Sequence, residues 1–195
     1  MAFSYPIAAP GTSAFYNVDF SVGTKGYNRY EDNMLVQALF RIFYYEIGFQ
    51  NCPPPPGDNG IAVDGFFGPA TQRHIVQFQQ QLIAAGGDVS NDGLLDPFRD
   101  PYGTTTVTKK YYALELLNDI LASGCLELGA DNFSNLPNRQ DVPIALRNAL
   151  KTVKTTATRY SGMSAADRAR NDAAMQAALA STTKSLSKLF KTRKK

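Results

Sequence analysis

The chain has 195 residues, 44% of them hydrophobic, and a formal net charge of +3, enough apolar material for a domain core with extensions and too much for a chain disordered throughout. The charge is split: residues 1–150 hold 9 Lys/Arg against 15 Asp/Glu, and residues 151–195 hold 11 Lys/Arg against 2 Asp. An acidic body with a basic tail points to two environments or two kinds of partner.

Residues 1–30 carry six aromatics (Phe3, Tyr5, Phe15, Tyr16, Phe20 and Tyr27) without helical periodicity. They read as an extended arm that docks on this chain or on another. The segment has no basic leader and is interrupted by Pro6 and Pro10, so no secretory signal is expected. No stretch approaches the roughly 20 apolar residues of a membrane span. The expectation is synthesis in the cytoplasm as a soluble product.

Residues 31–48 read as a helix capped by Asp32 or Asn33 and ended by Gly48. Leu35, Leu39, Ile42 or Phe43, and Ile47 or Tyr45 recur at near-helical steps, and the segment is apolar nearly all round, as a central core helix would be. Residues 51–62 include four consecutive prolines, Pro53 to Pro56, which forbid a helix and suit a stiff spacer.

In the stretch "VDGFFGPATQRHIVQFQ", Asp64 and Gly65 suit a tight turn and Pro69 suits the first turn of a helix. Gly68 reads as a small residue that lets the chain pack closely before the helix begins. Thr71, Ile75, Phe78 and Leu82 form one helix face, ended by Gly86-Gly87. The spacing of the glycines fits neither a phosphate loop nor a dinucleotide fingerprint. His74 reads as out of phase with the apolar face, hence as an exposed structural histidine.

Residues 88–107 are rich in turn formers. A third helix fits 108–123, with Leu114, Leu117 and Leu121 on one face and Gly124 after its end. A further helix starts near Pro143, and "SAADRARNDAAMQAALASTTKSLSKLF" reads as a long basic one. No strand-rich section is expected. The predicted organisation is an arm at 1–30, a helical domain at 31–130 and a basic helical extension at 131–195.

Cys52 and Cys125 are too few for a disulfide scaffold. One bridge between them is compatible with their positions; two free thiols in a reducing compartment are the expectation. With one His and no ligand spacing, neither metal nor cofactor is expected. No Ser or Cys stands in a nucleophile motif, and most Asp residues lie beside Gly or Pro in turns, so no catalysis is expected.

The Asp-Gly turn occurs twice. Asp64, Gly65, Gly68 and Pro69 are followed, 28 residues on, by Asp92, Gly93, Asp96 and Pro97. With Ile47-Gly48-Phe49 at the end of the first helix, Asp64 to Thr71 as D-G-x-F-G-x-x-T, and Ile75-Val76-Gln77-Phe78-Gln79 in the next helix, residues 34–123 resemble the peptidoglycan-binding-like family of small three-helix domains. The chain departs from the family in having Phe40-Arg41 where Leu-Gln is usual, Asp96 where Gly is usual, and long loops at Pro53–Pro56 and before the third helix. The resemblance implies a mainly α fold: a three-helix peptidoglycan-binding-like core with two Asp-Gly turns, to which the arm and the basic helix are added. It also implies a glycan groove using Asp64, Gly65, Gly68, Arg73, Gln77 and Tyr102.

The functional expectation is a non-catalytic binding or structural protein, a component of a phage-like virion or contractile injection particle that contacts cell-wall glycan. Other subunits of the assembly are expected to dock on residues 1–30 and the C-terminal helix. A free-standing peptidoglycan-binding module is the alternative. A further alternative is a nucleic-acid or anionic-membrane binder acting through the basic "KLFKTRKK".

Overall fold

A computed structural model of the chain describes residues 1–9, 12–99, 104–105 and 108–154. Two strands open it, β1 (Phe3–Ala9) and β2 (Thr12–Asn17), followed by the short β3 (Val22–Gly23) and helix α1 (Tyr30–Arg41). A π-helical turn, Ile42–Ile47, continues α1. Helix α2 (Pro69–Ala84), strand β4 (Leu94–Leu95), helix α3 (Ala113–Leu128) and helix α4 (Ile144–Leu150) complete the order.

The expectation of a mainly α fold, a three-helix peptidoglycan-binding-like core with an extended arm, is overturned. Among the described residues the structure is mixed, 42% helical and 14% strand, with two small antiparallel sheets. In one, β1 pairs with β2 (Phe3 opposite Asn17, Tyr5 opposite Phe15), with a register shift between Pro6 and Ala9. In the other, β3 pairs with β4 (Val22 opposite Leu95). The segment after α4 extends the first sheet: Ser4 N–H donates to Thr152 O (2.9 Å), and Lys154 N–H donates to Ser4 O (3.0 Å).

The arm folds into the chain's own core. Phe3, Tyr5, Phe15 and Tyr16 are buried, and the Tyr16 ring meets Phe133 edge-on at 5.1 Å. Asn118 of α3 stands in for a strand partner of β2. Its Oδ1 accepts from Tyr16 N–H (2.7 Å), and its Nδ2 donates to Tyr16 O (3.1 Å). Both pairs are buried, so this amide carries hydrogen bonds that water cannot replace.

Helix α1 is the central element that its all-round apolar character predicts. Met34, Leu35, Val36, Ala38, Leu39 and Phe40 have no exposed surface. Asp32 and Asn33 lie inside the first turn and do not cap it; the N-cap is Arg29, without a side-chain cap bond. Asp32 instead accepts the N–H groups of Asp19 and Phe20, both at 3.2 Å, and holds the β2–β3 connection against the helix start. Gly48 ends the helical run in the left-handed region (φ 63°), as its position predicts.

Helix α2 begins at Pro69 as expected, and Gly86 follows it at φ 86°. Thr71, Ile75, Phe78 and Leu82 are buried. Gly68 needs correction. Its backbone is ordinary extended chain (φ −148°), and a Cβ there would meet nothing within 4 Å. No close approach requires glycine. Helix α3 is displaced from the expected 108–123 because Gly124 is not its stop. A Cβ at Gly124 would come within 2.7 Å of the Phe49 ring, so glycine there admits that ring, and the left-handed cap is Gly129 (φ 62°).

The two Asp-Gly turns share one construction. Gln37 of α1 clasps the first. Its amide nitrogen donates to Asp64 Oδ1 (2.9 Å), Phe66 O (3.0 Å) and Thr71 Oγ1 (3.2 Å), and its oxygen accepts from Asp64 N–H (3.1 Å) and Gly65 N–H (2.9 Å). Gln79 of α2 clasps the second. Its nitrogen donates to Asp92 Oδ1 (3.1 Å) and Leu94 O (2.7 Å), and its oxygen accepts from Gly93 N–H (2.8 Å). In each turn the Asp Oδ1 also accepts the N–H two residues on, from Phe66 and from Leu94. Glutamine and aspartate lie 27 residues apart in the first unit and 13 in the second; the difference is the proline-bearing loop.

Candidate functional site: a proline-walled pocket and an aromatic ledge

The run Pro53–Pro56 is a spacer laid against α2. Gln81 Nε2 donates to Pro53 O at 2.8 Å. Arg73 binds Asp58 through two hydrogen bonds, Nε to Oδ2 (3.0 Å) and Nη2 to Oδ1 (2.6 Å). The loop and the helix enclose a shallow pocket of about 250 Å³ lined by Pro55, Pro56, Gln72, Arg73, Val76 and Gln77.

Of the residues expected to bind, Arg73 and Gln77 meet here. The Arg73 guanidinium is half exposed, and its hydrogen bonds hold the Asp58 carboxyl below its ordinary range. Gln72 was not singled out in the sequence. Its Nε2 donates to Gly93 O (3.2 Å), while its Oε1 is buried without a partner. A buried acceptor without a protein partner is unusual in a folded protein.

Asp64 and Gly65 do not line the pocket. They form the clasped turn, and on that turn sits a second exposed feature. The Tyr30 ring lies over Gly65, where a Cβ would overlap it. Tyr30 and the 72% exposed Phe66 meet edge-on at 5.8 Å. Nearby in sequence, Tyr27 is 77% exposed and packs on Phe20, which carries the Arg29 guanidinium at 4.1 Å over its ring. Exposed aromatic rings on a hydrogen-bonded, glycine-permitted turn make a rigid stacking surface. Of the arm's six aromatics, four are spent in the core; Phe20 and Tyr27 remain for contact. Gly68 is the N-cap of α2 and lines neither feature. Tyr102 and the basic helix lie outside the described residues.

His74 is buried with no exposed surface, contrary to the expected exposure. Thr71, His74, Ile75 and Phe78 follow the i, i+3, i+4, i+7 pattern, so its phase is that of the core. Its Nδ1 is 2.8 Å from Ala70 O, which can only accept. Nδ1 therefore carries the proton, and Nε2 accepts from the Tyr45 hydroxyl at 2.9 Å. Burial lowers its pKa and keeps it neutral. Asp58 stands 3.8 Å from Nδ1, beyond hydrogen-bond reach. Both ring nitrogens are thus committed, and the His74–Tyr45 pair ties α2 to the π-helical turn without presenting a base to solvent.

Cys52 and Cys125 are free and buried. Burial pushes the Cys52 thiol up to about 12 and raises that of Cys125. Among the described residues there is no cluster of three or more metal-ligating side chains, and no helix is long and apolar enough to cross a membrane.

Comparison with known proteins returns no match: no family model matches the chain, and neither a curated protein nor a solved structure is significantly similar to it.

Proposed function

We propose that this chain is a non-catalytic binding protein that serves as a structural component of a phage-like virion or contractile injection particle and touches cell-wall glycan. The contact face is the N-terminal half of α2 with the turn before it. The observation that carries the reading is the meeting of Arg73, Gln77 and the half-satisfied Gln72 in one proline-walled pocket; the exposed Tyr30–Phe66 pair stands on the turn that precedes the same helix. A sugar offers hydroxyl donors and flat apolar C–H faces, and a site for it needs amide and guanidinium groups next to aromatic rings. The Asp-Gly repeat, with its glutamine clasps, supports the resemblance to peptidoglycan-binding-like domains that makes this glycan the first ligand to test.

The test is sedimentation of the purified chain with insoluble peptidoglycan sacculi at low and moderate salt. The protein is expected in the pellet, and Phe66→Ala with Arg73→Ala is expected to leave it in the supernatant with its unfolding midpoint little changed. Wild type that stays in the supernatant refutes glycan contact. If that protein also remains monomeric in light scattering across its soluble concentration range, the structural-subunit reading falls with it.

A further inference from the structure

A second pocket, of about 390 Å³, shares no lining residue with the first. Its lining includes Arg41, Val63, Gln140, Asp141, Ile144 and Arg147. We propose that it is a carboxylate-binding site, in which Arg147 pairs with the carboxylate of an aliphatic ligand.

Arg139 grips Glu46 through both carboxylate oxygens (2.6 and 2.7 Å) and Asp141 through both of its own (3.0 and 2.6 Å). Arg41 bonds the same two acids, Glu46 Oε1 at 3.2 Å and Asp141 Oδ2 at 2.8 Å. Two guanidiniums and two carboxylates close a neutral ladder. Arg147 is outside it. Among the described residues it makes one long hydrogen bond, from Nη1 to Gln140 Oε1 at 3.4 Å, and its Nε is buried with no partner. No acidic side chain pairs with it among the described residues. A guanidinium has a planar fork of donors that fits a carboxylate in two parallel hydrogen bonds.

The surroundings choose among anions. Asp141 flanks the pocket, so a dianionic phosphate meets a negative neighbour where a single carboxylate only completes the neutral count. Val63 and the 66% exposed Ile144 offer apolar surface to the group that bears the carboxylate. Its volume lies in the range of small-ligand sites. Two sources share this chemistry: a free small carboxylic acid and the C-terminus of a polypeptide that ends in an aliphatic residue.

The test is a titration of the full chain, uniformly labelled with nitrogen-15, followed through its backbone amides. N-acetyl-leucine is expected to give saturable shifts at 140–147 and at Val63, and N-acetyl-leucinamide, which lacks the charge, none. Arg147→Ala is expected to weaken binding by at least about tenfold, and Arg147→Lys to restore part of it; the unfolding midpoint of each variant establishes that it is folded. An N-acetylated tripeptide ending in leucine separates the sources, since it binds more tightly than N-acetyl-leucine only if a chain terminus is the ligand. Equal shifts with the amide, unchanged binding in folded Arg147→Ala, or no shift with any of the acids overturns the proposal.

Discussion

Replacing Gln37 by alanine removes the clasp on the first Asp-Gly turn. Of its five hydrogen bonds, those with Gly65 N–H and Thr71 Oγ1 are buried, and those with Asp64 and Phe66 are partly exposed and can be made again to water. At about 1–2 kcal/mol for each buried group left unpaired, Gln37→Ala is expected to cost about 2–4 kcal/mol. Gln79→Ala strands only one buried group, the Gly93 N–H, and is expected to cost about 1–2 kcal/mol. Gln37→Glu sharpens the test. Its carboxylate sets acceptors against Asp64 Oδ1 and Phe66 O, so it is expected to cost at least as much as alanine at neutral pH and to recover part of the loss at acidic pH, where the protonated acid regains one donor. Urea unfolding followed by circular dichroism measures all three. A loss below about 1 kcal/mol for Gln37→Ala, or a larger loss for Gln79→Ala, would refute the reasoning.

Gly65→Ala places a side chain at φ 78° and into the Tyr30 ring. It is expected to cost about 1–2 kcal/mol for the backbone alone, with the excess removed in the Gly65→Ala, Tyr30→Ala double variant; the same unfolding assay reads both. Gly68→Ser, at an N-cap without a side-chain cap bond, is expected to stabilise the chain by a few tenths of a kcal/mol. Because burial lowers the folded-state pKa of His74, its share of stability is present above about pH 6.5 and is lost as the pH falls from there through the folded value. The urea midpoint should drop across that window in wild type and drop less in His74→Gln, and equal slopes would contradict this assignment. Cys52 and Cys125 should resist a soluble disulfide reagent at pH 8 in the native state and both react in denaturant; rapid native labelling would contradict their burial.

The turns and helix boundaries set by glycine and proline were legible because those residues act through local backbone geometry: Asp64-Gly65, Pro69 and Gly48 stand where their chemistry demands. The sheets were missed although a signal existed. Phe3, Tyr5 and Ile7 alternate at period two, and Pro10-Gly11 is a turn dipeptide, but Pro6 inside the run argues against a strand. Gly124 shows the ambiguity of one residue type, since glycine that admits a packed ring and glycine that ends a helix look alike in sequence. The binding features were half legible. Arg73 and Gln77 lie on one helix, whereas the loop that makes their pocket and the clasps that stiffen the ledge depend on contacts between Gln37 and Gln79 and distant turns. An apolar residue followed by glutamine in the helix before each Asp-Gly, Val36-Gln37 and Phe78-Gln79, was the one local trace of those contacts.

The central claim is that contact is made by the face at the start of α2, and hydrogen exchange of the full chain, free and pelleted on sacculi, tests it most directly. New protection is expected, confined to the amides of about 27–30, 57–58 and 65–77. Protection that falls elsewhere, or exchange unchanged in the pelleted protein, would contradict it.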